Sequence, residues 1–317
     1  MTSQTRGILF ALCGFAIYAA HDTVIKLLGG TYSAFQIVFF SVLFAFPLTT
    51  LLLIRETEPG TLRPVHPWWT AARTAAIVTA SGGAFYAFAV LPLADVSAIL
   101  FAMPILITLL AIPILGERIR LRRGIAIVVG LVGVAVVLRP GQADLGAGHA
   151  AALVAALGSS LAATIVRKIG KDERNVVMLL YPTLATFLVM GAILPTVYRP
   201  MEGGDFALVI LVAVLAFVAM LCIIEAYRSA EAALIAPMQY SQILWAVFYG
   251  WVLFEEWPDP ATVAGVALII ASGLYIVFRE SRAGASRTTP VLRTRSRAGT
   301  PATPRISTAL RLFGIRR

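Results

Sequence analysis

Long apolar runs constrain the fold of this chain more than any other feature. Ten stretches of about 18 to 24 mostly apolar residues alternate with short segments rich in charge, proline or glycine. About 20 apolar residues cross a bilayer as a helix, and lipid requires every backbone group to be hydrogen-bonded internally. The sequence therefore predicts an all-α polytopic membrane protein with ten transmembrane helices, at about 7–28, 34–54, 68–90, 94–115, 121–138, 147–168, 175–197, 205–228, 232–254 and 261–279.

The composition excludes an ordinary soluble enzyme. The chain is 59% hydrophobic and only 13% charged, whereas soluble domains are about 45–50% apolar and about 25% charged. A membrane β-barrel would need segments of alternating polarity. Runs such as 124–138 are apolar throughout, which favours helices.

The net charge of +10 comes from the end of the chain. Ten of the 26 basic residues follow residue 278, where Glu280 is the one acidic residue. Segment 281–317 is therefore predicted to be a basic, disordered cytoplasmic tail with anionic lipid as its partner. A short interfacial helix over 306–313 is the alternative to a solvated end. Nucleic acid is not an expected partner, because the remaining body is nearly neutral.

The loop charges predict the orientation. With the N-terminus inside, 13 Lys and Arg residues before the tail fall on the cytoplasmic side and three fall outside. Positive residues collect in cytoplasmic loops, so both termini are expected in the cytoplasm. A cleaved leader over residues 1–20 is disfavoured, because its apolar run is long and a charged cluster follows directly.

The two halves of the chain resemble each other. Residues 93–138 and 231–277 share a pattern at an offset of about 139–141 residues. Five spans per half is an odd number, so the halves must insert with opposite orientation, as in many secondary transporters. The expected organisation is a first repeat at 7–139, a second repeat at 147–279 and the tail at 281–317.

These features resemble the EamA family of the drug/metabolite transporter superfamily. Two patterns carry the resemblance: Leu115-Gly-Glu-Arg118 followed by Gly124, and Asp22-Thr-Val-Ile-Lys26 followed by Gln36-Ile-Val-Phe-Phe40. The second pattern is similar to a subgroup that includes S-adenosylmethionine and riboflavin importers. Where the pattern commonly has Arg and Gly, this chain has Ser41 and Glu255.

The resemblance implies a secondary transporter of the bacterial inner (cytoplasmic) membrane. It would move a small polar or zwitterionic metabolite by alternating access, with uptake of S-adenosylmethionine or riboflavin as one interpretation. Export of amino acids or related metabolites is the alternative. A membrane-embedded enzyme and a signalling scaffold are alternatives of another class. A proton is a candidate coupling ion, and a homodimer is left open.

Ionisable residues in the first span are candidates for the substrate site, because charge within a span is costly. Tyr18, His21 and Asp22 share one helical face. Asp22 is the candidate for charge recognition or proton coupling. Lys26 lies one turn further out and is expected either to pair with Asp22 at i, i+4 or to serve as a gate.

The ninth span supplies the second candidate group. Gln239 and Gln242 recur at helical spacing, with Tyr240 and Trp245 beside them. Amides donate and accept hydrogen bonds, and the aromatic rings can stack on a planar or cationic ligand. Tyr86 of the third span is expected in the same cavity. The alternative for the amides is bonding between helices.

Glu225 and Arg228 are expected to form an ion pair or a gate at the inner end of the eighth span. Five prolines within spans are candidates for bends that line a cavity: Pro104, Pro113, Pro182, Pro195 and Pro237.

No motif for another chemistry is found in the sequence. A phosphate-binding Gly-x-x-x-x-Gly-Lys loop is absent, and the three histidines lie in separate segments without metal-ligand spacing. Two cysteines in apolar runs give no disulfide framework. We expect no catalytic residues, no metal and no cofactor, and we therefore expect that the protein is not an enzyme.

Overall fold

The computed structural model describes residues 3–54, 62–116, 121–139, 146–170, 172–230 and 232–281, and no strand occurs in these ranges. The predicted tail beyond residue 281 and the basic turn at 117–120 lie outside them. The helices, in chain order, are α1 Ser3–Gly29, α2 Ala34–Ile54, α3 Pro67–Val90, α4 Leu93–Leu100, α5 Met103–Leu115, α6 Leu121–Leu138, α7 Ala147–Ile169, α8 Asn175–Val197, α9 Gly203–Ser229, α10 Ala232–Ile235, α11 Ser241–Phe254 and α12 Pro260–Ser281, with a 3₁₀ helix at Ala236–Tyr240.

These helices form ten membrane crossings when α4 is joined to α5 and α10 to α11. Within the described ranges, five segments are long and apolar enough to cross a membrane: Gln4–Gly29, Leu93–Leu115, Ala147–Ile169, Val176–Val197 and Gly203–Ser229. Three shorter apolar helices add to them: Ala34–Leu48, Gly124–Leu138 and Pro260–Ile276. Helix α3 and the interrupted ninth crossing complete the ten, as the hydropathy pattern predicts.

The fourth and ninth crossings are interrupted near Pro104 and Pro237, two of the prolines that the sequence analysis names as candidate bends. Helix α4 ends at Leu100, and α5 begins at Met103 with Pro104 in its first turn. In the ninth crossing, Pro237 lies in the 3₁₀ segment between α10 and α11. Proline lacks a backbone N–H and is best accommodated in the first turn of a helix. Pro104 takes that place in α5, and Pro237 takes it in the 3₁₀ helix.

The interrupted helices occupy equivalent places in the two inverted five-helix repeats. Phe101 and Tyr240, at equivalent positions, bring their ring centroids to 5.4 Å from each other. Gly116 and Glu255 are also equivalent, and both have left-handed backbone angles, with φ of 68° and 56°. The C-terminal ends of α5 and α11 therefore close in the same way, although only one has the glycine that this conformation favours.

The most extensive helix interfaces join a helix of one repeat to a helix of the other. The first crossing packs on the eighth, α1 on α9, and the third packs on the sixth, α3 on α7. The last crossings of the two repeats, α6 and α12, pack on each other where Gly133 meets Gly265. A Cβ at Gly133 would lie 2.8 Å from the Gly265 carbonyl oxygen, so this close approach depends on glycine.

Candidate functional site

A buried carboxylate joins the first crossing to the interrupted ninth one. Asp22 is 3% exposed and Gln242 is 7% exposed. The Gln242 amide Nε2 donates to Asp22 Oδ2 at 2.9 Å. Gln242 is the second residue of α11, directly after the 3₁₀ break. Asp22 lies seven residues before the end of α1, which is about 10 Å along the helix axis.

His21 extends this cluster towards the third crossing. Its Nδ1 lies 3.0 Å from Asp22 Oδ1, and its ring meets the Phe85 ring edge-on at a centroid distance of 6.0 Å. His21 is 4% exposed. Side chains of α1, α3 and α11 thus converge around one carboxylate.

This arrangement is suited to recognising positive charge. A buried carboxylate requires hydrogen-bond donors or a counter-charge to offset its desolvation. Gln242 donates to one oxygen of Asp22, and His21 lies beside the other. Carboxylates form stronger, charge-assisted hydrogen bonds with cationic groups than with neutral donors.

The other aromatic and amide candidates lie in three different surroundings. Tyr18, one turn before Asp22 in α1, is buried in a cluster with Ala219 and Ile223 of α9. Tyr240 is buried against Phe101 and against the backbone at Gly273. Gln239 belongs to the 3₁₀ helix, so the α-helical spacing assumed for Gln239 and Gln242 does not hold.

Tyr86 and Trp245 are the most exposed of the predicted site residues, at 37% and 36%. The Trp245 ring stacks on Tyr249 of its own helix, with centroids 6.4 Å apart. The structure groups His21, Asp22 and Gln242, while a role for Tyr86 and Trp245 in the site stays a prediction.

Lys26 pairs differently from the i, i+4 expectation. Its Nζ donates to Glu256 Oε1 at 2.6 Å and to the Leu91 carbonyl at 2.7 Å. The Phe254 ring lies 5.1 Å from the same ammonium. Lys26 extends towards the end of α1 that is predicted to face outside, where Glu256 follows α11, whereas Asp22 lies one turn earlier and binds Gln242.

Glu256 is a residue that the sequence reasoning missed. The available signal was its alignment with the Gly-Glu pair of the first repeat, because Glu255-Glu256 occupies the place of Gly116-Glu117. Its second oxygen, Oε2, accepts from the backbone N–H of Leu93 at 3.4 Å. Glu256 therefore contacts two segments of the first repeat.

Further polar contacts lie at the same ends of the helices. Arg139 forms an ion pair with Asp259, and Thr262 Oγ1 donates to Asp95 Oδ1 at 2.8 Å. These contacts connect the residue after α6 to the segment before α12, and the start of α4 to the first turn of α12.

Tyr32, between α1 and α2, binds the start of α9. Its hydroxyl donates to Asp205 Oδ2 at 2.7 Å, and this bond raises the pKa of Tyr32 above its ordinary value. Gln36 binds the backbone of Arg199 twice, through Nε2 to the carbonyl at 2.7 Å and through Oε1 to the N–H at 2.9 Å. These side chains fasten the loop between α8 and α9.

The opposite ends of α1 and α9 are joined by charge. Glu225 lies 2.9 Å from Arg228, the i, i+3 pair that the spacing predicts, and 2.9 Å from Arg6 of α1. Arg6 is the partner that the sequence reasoning did not name.

Arg73 is a fully buried cation that the sequence reasoning also missed. Its Nη1 donates to the carbonyl of Met178 in α8. Pro182 stands four residues after Met178 and has no N–H to offer that carbonyl. Arg73 thus supplies the donor that the proline removes.

A comparison with protein families decides what kind of chain this is. The profile of the EamA-like transporter family matches residues 5–139 and matches again over residues 146–278. The chain belongs to the EamA-like transporter family. It is therefore a multi-pass membrane protein of a transporter family, as the sequence resemblance implied.

Curated relatives of this EamA chain include an uptake transporter, a riboflavin transporter and an exporter. It is 24% identical over 277 residues to an S-adenosylmethionine uptake transporter of Rickettsia felis, covering 87% of this chain and 94% of the relative. It is 28% identical over 242 residues to a riboflavin transporter of Rhizobium johnstonii, covering 75% and 79%. A pseudopaline exporter of Pseudomonas aeruginosa is 23% identical over 274 residues, covering 84% and 94%.

A solved structure shares the fold. One crystal structure superposes with a TM-score of 0.56 at 17% identity, covering 85% of this chain and 96% of the other. At that identity the likeness concerns the architecture alone.

Proposed function

We propose that this EamA chain takes up a small cationic or zwitterionic metabolite by alternating access, with S-adenosylmethionine as the first candidate. The observation that carries the proposal is the buried Asp22 carboxylate, held by Gln242 beside the break in the ninth crossing. In transporters, substrates bind near discontinuous helices at the interface of inverted repeats.

The chemistry of the site favours S-adenosylmethionine over riboflavin as the substrate. S-adenosylmethionine carries a sulfonium and an ammonium group, whereas riboflavin is neutral. A buried carboxylate gains most from a positively charged partner. The S-adenosylmethionine uptake transporter among the relatives supports the same choice.

His21 supports a role for protons in the cycle. Its ring nitrogen lies 3.0 Å from Asp22, and histidine is the side chain that most readily changes charge near neutral pH. In our proposal, a proton taken up by the pair offsets the carboxylate when the substrate leaves. Dissipating an imposed pH gradient should then lower substrate accumulation, while an unchanged accumulation would remove the proton from the scheme.

We also propose that both termini face the cytoplasm of a bacterial inner membrane. The 13 to 3 division of positive residues supports this orientation, which would also place the basic tail beside the leaflet that is rich in anionic lipid. In this arrangement the repeats 7–139 and 147–279 form the transport unit, and removing the tail from residue 282 onwards should leave transport intact. A scaffold that acts through its tail would lose function instead.

The test is uptake of labelled S-adenosylmethionine into proteoliposomes containing the full chain. We expect saturable uptake that excess unlabelled S-adenosylmethionine abolishes and excess riboflavin does not. Asp22→Asn keeps the shape but removes the charge, so uptake should fall at least about tenfold, the value of a charge-assisted hydrogen bond.

The matched control is Asp172→Asn, the same change at a carboxylate with a 61% exposed side chain beside His66. Uptake should stay at the wild-type rate. Wild-type uptake by the Asp22→Asn variant would contradict the proposed site. Saturable uptake of labelled riboflavin by the same proteoliposomes, with no uptake of labelled S-adenosylmethionine, would contradict the cationic substrate class.

Export is the alternative direction, and the pseudopaline exporter among the relatives is the observation in its favour. Vesicles of defined orientation separate the two directions. Concentrative flux of an amino acid or related metabolite from the cytoplasmic to the outer face would establish an exporter, and concentrative inward flux of S-adenosylmethionine would establish an importer.

A further inference from the structure

Three segments meet at one ammonium group on the predicted outer side of the protein. Lys26 of α1 reaches Glu256 after α11 at 2.6 Å and the Leu91 carbonyl between α3 and α4 at 2.7 Å. Glu256 also accepts from Leu93 N–H at 3.4 Å. The Lys26 side chain is 11% exposed and that of Glu256 is 27% exposed, so the pair is partly shielded from water.

This ion pair lies between the outer surface and the candidate site. Lys26 follows Asp22 by four residues, or about 6 Å of helix, and Ile25 between them is completely buried. Helix α11 is bound to α1 near both of its ends, by Gln242 to Asp22 and by Glu256 to Lys26. The Lys26 contact therefore lies at the predicted outer end of the α1–α11 interface, and the Gln242–Asp22 contact lies further along it.

We propose that the Lys26–Glu256 ion pair is the external gate of this transporter. It holds α1, the α3–α4 connection and the α11–α12 connection together when the site is closed to the outside, and it parts before a substrate reaches Asp22. The inference rests on the proposed function, because alternating access requires the outer end of the site to open and close.

The physical basis is a population shift. A contact that exists in only one of two conformations biases the equilibrium towards that conformation by its full free energy. A partly shielded, charge-assisted pair with an additional carbonyl acceptor is stronger than an exposed surface pair. Removing it should therefore raise the share of molecules that are open to the outside.

The experiment measures access to a buried position beneath the gate. The background carries Cys13→Ser and Cys222→Ser to remove both native thiols, and Ile25→Cys as the reporter. Ile25 shares the helix face of Asp22 and is 0% exposed. Right-side-out vesicles are treated with a membrane-impermeant thiol reagent, and the labelling rate is recorded.

We expect Glu256→Ala to raise the labelling rate by about tenfold or more, as loss of a charge-assisted bond implies. Lys26→Met should act in the same direction. The matched control is Glu255→Ala, at the neighbouring carboxylate, which is solvent-exposed; it should label at the rate of the background. The charge-swapped variant K26E/E256K should label more slowly than either K26E or E256K alone, because the pair is re-formed.

An unchanged labelling rate in both Glu256→Ala and Lys26→Met would overturn the gate, as would equal acceleration by Glu255→Ala. Gel filtration of each variant excludes misfolding as the cause of faster labelling. The rate does not depend on the transported molecule, so a gate can be established or refuted even where S-adenosylmethionine proves not to be the substrate.

Discussion

Replacing Gln242 by methionine tests the link between the ninth crossing and the buried carboxylate. Methionine has nearly the length of glutamine but no N–H to donate. Gln242 is 7% exposed, and its Nε2 lies 2.9 Å from Asp22 Oδ2. The substitution therefore removes one hydrogen bond and leaves the surrounding packing largely in place.

The expected magnitude follows from the charge of the acceptor. A hydrogen bond to a charged group contributes about 1.5–3 kcal/mol and one between neutral groups about 0.5–1.5 kcal/mol. Gln242→Met should cost about 1.5–3 kcal/mol of unfolding free energy in the wild-type background. In an Asp22→Asn background the acceptor is neutral, so the cost should fall by about 1 kcal/mol or more.

The assay is a double-mutant cycle of unfolding in mixed micelles, combined with equilibrium binding of labelled S-adenosylmethionine. Gln242→Met should also weaken binding by about tenfold, equivalent to about 1.4 kcal/mol, because the Asp22 carboxylate loses the contact that orients it. The control is Ser241→Ala, whose hydroxyl donates to the Met238 carbonyl at 2.7 Å. Its cost should be the same in both backgrounds.

Equal costs of Gln242→Met in the two backgrounds would refute the reasoning, because they would show that the amide and the carboxylate do not interact. A large stability loss with unchanged substrate binding would assign the contact to helix packing alone.

Two further predictions concern the backbone. Glu255→Gly should stabilise the protein by about 1 kcal/mol without changing uptake, because a left-handed conformation costs a non-glycine residue about 1–2 kcal/mol; thermal unfolding measures this, and a lower midpoint would contradict it. Arg73→Met should lower the free energy of unfolding by about 1 kcal/mol more in the wild type than in a Pro182→Ala background. The second substitution restores a backbone N–H at position 182 that can donate to the Met178 carbonyl. Denaturant unfolding measures both costs, and equal values would show that Arg73 does not act through that carbonyl.

The number of crossings follows from the sequence, because whether a segment can span the bilayer depends mainly on its own length and hydropathy. The inverted repeat follows as well, since five crossings per half leave no other way to insert. The interruptions were only partly predictable. Of the prolines named as bends, Pro104 and Pro237 coincide with breaks, whereas Pro113, Pro182 and Pro195 lie inside continuous helices. Tertiary contacts, such as Arg73 on the Met178 carbonyl, offset the lost hydrogen bond.

The sequence by itself determined which polar residues lie within membrane spans. Asp22, Lys26 and Gln242 stand in apolar runs, where charged groups and amides are costly. Only the tertiary structure decided their partners. Asp22 meets Gln242 across 220 residues, and Lys26 meets Glu256 across 230 residues rather than Asp22 one turn away. Local spacing determines which side chains share a helix face. Which of them touch depends on the rotation and depth of each helix against its neighbours. That placement in turn depends on the packing of the whole bundle.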